Sequence, residues 1–223
     1  PKTAQPSIGR FVEVYDELGK NGDSVISIQM MRSISGTVDA ARQAADITET
    51  NVTVVDSDFT SRSMGMIVKE AAKAAQEGKT VEEILEIVED AKKRTTLYLT
   101  VVNLDNLIKG GRISQLMGMF SNLLNIKLFL QVINGKIEII QKGRGLKSLQ
   151  KKYDEIFEQM KAAPNGIQEI GIMHAGLSDF NEGNIARVRE LFPDVPLTIV
   201  TTSPIIMSHT GVDAMAITYL ENK

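Results

Sequence analysis

Two stretches of this 223-residue sequence gather hydroxyls, glycines and a titratable ring in a way that suits an anion. Ser33-Ile34-Ser35-Gly36-Thr37 follows a β-branched run at 25–28 and opens a helical pattern. Its hydroxyls and the free N–H groups of a helix start would face one point, a cradle for a carboxylate or phosphate. An ordinary N-cap draws on the same residue types. The second stretch runs from Thr201-Thr202-Ser203-Pro204 to Ser208-His209-Thr210-Gly211, after the last clear strand. Carboxyl ends of strands in open α/β sheets are where ligands bind. His209 falls in what reads as a polar loop, where an imidazole titrating near neutrality is free to act. His174, directly after an apolar strand, reads as structural. Lys109-Gly110-Gly111-Arg112-Ile113-Ser114 would present a guanidinium on a flexible loop, and Arg144 between Gly143 and Gly145 is similar. A guanidinium holds an anion through paired, charge-assisted bonds, although a solvated loop arginine fits the same pattern. Met30-Met31, Met64/Met66 and Met117/Met119 supply pliable thioethers, suited to a long apolar ligand or to an ordinary core.

Composition removes other chemistries. No cysteine is present, so disulfides, thiol catalysis and zinc-thiolate sites are excluded. A net charge of -3, no tryptophan and 5% aromatics argue against nucleic acid, which calls for a basic surface and stacking platforms. The sequence contains no Gly-x-Ser-x-Gly elbow, Walker A loop, His-Glu-x-x-His or dinucleotide fingerprint. No metal site and no cofactor are therefore expected. Glu82, Glu83, Glu86, Glu89 and Asp90 read as a solvated helix face. No apolar run is long enough to span a bilayer. Membrane contact is expected to be transient at most, and the cytoplasm is the default location. The chain opens Pro1-Lys2-Thr3 with neither a signal peptide nor an initiating Met, as a start-trimmed chain would.

The elements that must position these residues alternate in an α/β pattern. Runs at 25–28 and 52–55 flank a helix over 38–45, a βαβ unit that implies parallel pairing. Helical periodicity continues over 64–75 and 81–92, the latter with Thr80 as N-cap. A strand at 97–102 opens a second part, placing a domain boundary near residue 94 and two domains over 1–94 and 95–223. Beyond it come a short helix at 104–108, a helix over 115–124, and strands 127–133 and 136–140 joined by Asn134-Gly135, a strong hairpin signal. A helix with an apolar stripe from Leu146 to Met160 follows, then strand 170–173, helix 184–191 and strand 197–200. The fold class is α/β in two domains, the first with a mostly parallel sheet and the second with a mixed sheet and helices.

In this order, several runs together resemble the DegV family of fatty-acid-binding proteins, the lipid-carrying subunits of bacterial fatty acid kinase. They are Thr3-Ala4-Gln5-Pro6-Ser7, Ser35-Gly36-Thr37, Val54-Val55-Asp56-Ser57 with Ser63-Met64-Gly65, the Lys109-to-Ser114 run, Leu123-Leu124-Asn125-Ile126-Lys127, and His209-Thr210-Gly211. Lys-Gly-Gly-Arg-Ile-Ser is the most specific element. The resemblance implies a two-domain α/β protein holding a long-chain fatty acid in a buried tunnel, with walls near Met64 and over 116–128 and the carboxyl group at the domain interface. It implies a lipid-binding subunit, with a partner kinase supplying ATP chemistry. Thr3 and Ser35 would donate hydroxyl hydrogen bonds to the carboxylate, with Gly36, Thr37 and Thr210 in the head-group loops. Arg112 and His209 would support phosphotransfer, and Arg144 would add to the ligand site. The departures are Met31-Arg32-Ser33 and Val212-Asp213, both in head-group loops, and the lack of the N-terminal segment and first strand that family members carry. A truncated or processed chain is the expectation. The alternative is an independent small-molecule phosphotransferase or hydrolase built on the Arg112 and His209 anion site, and a regulatory domain is a weaker third.

Overall fold

The computed structural model describes residues 2–112 and 125–223. They form two compact units: Ala4–Lys93 with Asn134–Lys136, and Arg94–Ile133 with Ile137–Lys223 and the chain start through Thr3.

The first unit contains α1 (Ile8–Gly19), β1 (Val25–Gln29), α2 (Thr37–Ala45), β2 (Val52–Asp56), α3 (Ser61–Gln76) and α4 (Val81–Arg94). The β-branched runs pair in parallel, Val25 with Val52 through Gln29 with Asp56, and α2 forms the crossover. Ala40, Ala41, Ala44, Ala71 and Ala74 are buried, so α2 and α3 turn small-residue faces inward around Val38, Met66 and Ile67. The sequence signals above include none for α1, yet Ser7 caps it, its Oγ accepting from Arg10 N–H at 3.3 Å. Thr80 begins α4 with a capping box: Glu83 N–H donates to Thr80 Oγ1 at 3.3 Å, and Thr80 N–H donates to the Glu83 carboxylate at 2.8 Å.

The second unit contains β3 (Thr95–Val101), α5 (Asp105–Gly110), β4 (Ile126–Ile133), β5 (Lys136–Arg144), α6 (Leu146–Lys161), β6 (Ile167–His174), α7 (Asp179–Leu191), β7 (Leu197–Thr201), α8 (Pro204–Thr210) and β8 (Met215–Glu221). Its six-stranded sheet runs β5-β4-β3-β8-β6-β7. The pairs β3–β4, β3–β8 and β6–β8 are antiparallel, and β6–β7 is parallel. Asn134 and Gly135 both have positive φ, 49° and 68°, as a two-residue hairpin turn requires. Both faces of this sheet are covered. Phe129 joins Tyr98, Tyr153, Phe157 and Met215 in one cluster, while its neighbours Leu128 and Leu130 join Val101, Leu104 and Leu107 in another. Alternation along β4 thus feeds two cores. The Phe129 and Tyr153 rings meet edge-on at 4.9 Å. The fully buried Tyr153 hydroxyl hydrogen-bonds Thr100 Oγ1 at 2.9 Å, and Thr100 in turn donates to the Met215 carbonyl. The helix anticipated over 115–124 lies outside the described residues.

One local reading is corrected. The stretch around His209 is not a polar loop but α8, with Ser203 as N-cap and Pro204 in its first turn. Ser203 Oγ accepts from Ile206 N–H at 3.4 Å, and Ser208 and Thr210 turn their hydroxyls back onto the Pro204 and Ile206 carbonyls. The polar side chains that suggest a loop are satisfying the helix itself.

Candidate functional site

The site in the second unit is built where α5 meets α8. Asn106 Nδ2, on α5, donates to the Ser208 carbonyl at 3.2 Å and ties the two helices together. Just before α5, Asn103 Oδ1 accepts from Asp105 N–H at 2.9 Å, and the helix is closed by its C-cap Gly111, left-handed with φ 69°. Arg112 follows at once, its Nη1 donating to the Gly110 carbonyl at 2.8 Å. From α8, His209 faces the chain start, and its Nε2 lies 2.8 Å from Thr3 Oγ1. Thr3, Arg112 and His209, more than a hundred residues apart in sequence at the widest, are thereby gathered at one place.

The imidazole is electrostatically biased. Burial, and secondarily the Arg112 guanidinium, hold the His209 pKa below the usual histidine value. Both effects bias the ring toward its neutral form. Its Nδ1 is buried and has no hydrogen-bond partner among the described residues. A tautomer with hydrogen on Nδ1 would bury an unanswered donor, so the network favours hydrogen on Nε2, donated to Thr3 Oγ1. The Thr3 hydroxyl hydrogen then remains for another acceptor. A hydroxyl with a hydrogen to give, a guanidinium and an imidazole biased toward its neutral form can bind an oxyanion and stabilise charge added to it.

Thr210 is buried beside this group, and its hydroxyl is engaged with the Ile206 carbonyl at 3.1 Å. Arg144 is exposed at the end of β5. His174, read as structural, is buried at the end of β6.

Ser35, Gly36 and Thr37 belong to the first unit. Ser35 Oγ hydrogen-bonds Thr37 Oγ1 at 2.7 Å and accepts from Thr37 N–H at 3.3 Å. The N-cap of α2 is Gly36, with no side-chain cap, instead of a hydroxyl residue. A Cβ at Gly36 would lie 2.4 Å from Gln5 Oε1, so glycine here admits the Gln5 amide. The same unit carries an apolar groove of about 840 Å³ between α1, the edge of β1, α3 and α4, walled by Phe11, Val14, Tyr15, Ile26 and Val68. None of the site residues anticipated from the sequence lines it. Met31 and Met66 are buried core residues, while Met117 and Met119 lie outside the described residues.

A family model described as "Uncharacterised protein, DegV family" matches residues 1–222. The chain belongs to the DegV family. A DegV domain-containing protein of Streptococcus pneumoniae serotype 4 is 42% identical over 217 residues, covering 97% of this chain and 77% of that protein. A second, from Listeria innocua, is 40% identical over 220 residues, covering 98% of this chain and 78% of its own. Among solved structures, DegV from Bacillus subtilis, described as a fatty acid binding protein, is similar with a TM-score of 0.88 at 28% identity, over 100% of this chain and 79% of that one. A Thermus thermophilus DegV family protein, whose structure is described in terms of fatty acid binding, gives 0.84 at 30% identity with the same coverages. The DegV arrangement of a parallel pair and a mixed sheet is thus the fold of this chain. Among the described residues no helix is long and apolar enough to cross a membrane, and no three His, Asp or Glu side chains group as a metal set would.

The residue that sequence reading passes over here is Asn106, the tie between the two helices. Its signal is weak, since an Asn in the first turn of a short helix is usually solvated.

Proposed function

We propose that this DegV chain binds a long-chain fatty acid and presents its carboxylate to a partner kinase in the cytoplasm for acyl-phosphate formation. The observation that supports this most directly is the Thr3–His209 pair beside Arg112, within a chain similar along its whole length to DegV proteins described as binding fatty acids. Thr3 Oγ1, accepting from the His209 ring, donates its own hydrogen to the carboxylate. Ser35 supplies a further hydroxyl. Hydrogen bonds to a charged acceptor contribute about 1.5–3 kcal/mol each, enough to fix a head group. Affinity comes from the tail: roughly fifteen methylenes at about 0.8 kcal/mol each give on the order of 12 kcal/mol before association costs.

The reaction adds charge where the head group sits. A carboxylate oxygen attacks the terminal phosphorus of the nucleotide held by the kinase, the bond to the bridging oxygen breaks, and the nucleoside diphosphate leaves. Arg112 stabilises the charge on the phosphoryl oxygens as they approach, an interaction made mainly in the transition state. His209, neutral and fixed by Thr3, holds the acceptor end in line.

Native mass spectrometry of the purified protein tests the first half of this reading. The expected result is a population heavier by one long-chain fatty acid, lost on delipidation and regained with a C14–C18 acid. Protein that neither carries nor takes up any such acid by calorimetry would sink it.

A further inference from the structure

We infer that Gly110 is a positioning residue. By lacking a side chain it seats the His209 imidazole against α5, and through its carbonyl it aims the Arg112 guanidinium. Its bearing on phosphotransfer rests on the function proposed above; the placement itself does not.

α5 ends in two glycines, and glycine is disfavoured in a helix relative to alanine. Each needs a reason, and the two reasons differ. Gly111 is a conformational requirement: its φ is 69°, its N–H closes the helix on the Ile108 carbonyl at 3.2 Å, and an added Cβ would meet nothing within 4 Å among the described residues. Gly110 is the reverse. Its φ is not in the left-handed region, so alanine fits its backbone. A Cβ there would instead lie 2.3 Å from His209 Nδ1 and 3.3 Å from Cε1 and Cγ. The three nearest atoms it would meet all belong to the imidazole.

The ring has little room to yield. Its Nε2 is held by Thr3 Oγ1 at 2.8 Å, and α8 is fastened to α5 through Asn106 and the Ser208 carbonyl. Ordinary contact begins at 3.4 Å, so the ring would have to retreat by 3.4 − 2.3 = 1.1 Å. The clash falls on the Nδ1 edge and Thr3 holds the Nε2 edge, so the retreat crowds the ring against Thr3 and spoils the bond between them. The Gly110 carbonyl meanwhile accepts from Arg112 Nη1 at 2.8 Å. One residue therefore sets the cation by what it offers and the imidazole by what it lacks.

The test compares Gly110→Ala, His209→Ala and the double variant. The chain has two histidines, so ring ¹⁵N spectra are simple and His209→Ala assigns the signal. Gly110→Ala should shift the His209 ring-nitrogen resonances and slow kinase-dependent palmitoyl phosphate formation on the order of 10²-fold, the usual consequence of a misplacement near 1 Å. In the His209→Ala background, where the clash partner is gone, Gly110→Ala should cost nothing further. A general loss of structure would instead penalise both backgrounds alike. Unchanged ring resonances in Gly110→Ala, or an equal loss in both backgrounds, overturns the inference. Should wild-type protein neither bind palmitate nor support its phosphorylation, the functional reading fails, and the ring resonances still decide the role of Gly110.

Discussion

Thr3→Val removes one hydroxyl while keeping the shape of the side chain, and its consequence for a ligand can be worked through. With hydrogen on His209 Nε2, Thr3 Oγ1 accepts from the ring at 2.8 Å and offers its own hydrogen to the carboxylate. Losing a bond to a charged acceptor costs about 1.5–3 kcal/mol, which is roughly a 10- to 150-fold rise in Kd. The tail term is untouched, so hexadecan-1-ol, which has the same tail and no carboxylate, isolates the head group. Calorimetry with palmitate and hexadecan-1-ol on wild type, Thr3→Val and Thr3→Ser gives a closed cycle. The expected outcome is that wild type prefers palmitate, Thr3→Val loses most of that preference, and Thr3→Ser keeps it. The valine variant also strands the ring N–H, at about 1–3 kcal/mol of stability, so its thermal midpoint should fall while that of Thr3→Ser holds. If Thr3→Val weakens both ligands equally, Thr3 does not touch the head group and the assignment of the site is wrong.

Ser35→Ala should weaken palmitate binding by about 1–3 kcal/mol; an unchanged Kd by calorimetry would leave Ser35 as a partner of Thr37 alone. Arg112→Ala should retain co-purified fatty acid by native mass spectrometry yet lose acyl-phosphate formation with a cognate kinase. An empty protein whose few loaded molecules still react normally would make Arg112 a binding residue instead. His209 should titrate below 6.5 by NMR, and Arg112→Ala should raise that pKa while burial keeps it depressed. Because the folded pKa lies below the unfolded one, the unfolded chain binds more protons in the window just under pH 6.5. Stability should therefore fall as pH drops through that window. A His209 pKa at or above 6.5, or a midpoint insensitive to pH there, would contradict the buried neutral ring.

Local signals made much of the fold legible. The runs Val25-Ile26-Ser27-Ile28 and Val52-Thr53-Val54-Val55 are β-branched and separated by one helix, and parallel pairing follows from chirality. Asn134-Gly135 marks its own turn, because few other pairs accept positive φ twice. What escaped was set by position in the tertiary structure. β8 reads Met-Ala-Ile-Thr-Tyr-Leu-Glu without clean alternation because it lies inside the sheet, between β3 and β6. α8 escaped for a different reason: hydroxyls bonded back to their own helix look like loop residues. Ser203-Pro204, an N-cap followed by proline, was the available sign of its start. At the site, the chemistry-bearing types at Arg112 and His209 can be picked out from the sequence, and Thr3 only through the resemblance to the DegV family. Their meeting, and the glycine that permits it, depend on how α5 packs on α8, which no local pattern encodes.

The place of β8 has a consequence for how the protein is made. Thr95 on β3 pairs with Leu220, and β6 reaches β3 only through β8. Until residue 221 has left the ribosome, β5, β4 and β3 can form one sheet fragment and β6 with β7 another, each with an open edge where the other should be joined. Native pairing at this separation is slow, and such edges are what chaperones or aggregation capture first. The first unit, apart from the turn at 134–136, comes from sequence that emerges earlier and faces no such wait. Synthesis stalled before β8 should yield chains in which the first unit is protease-resistant and the second is degraded.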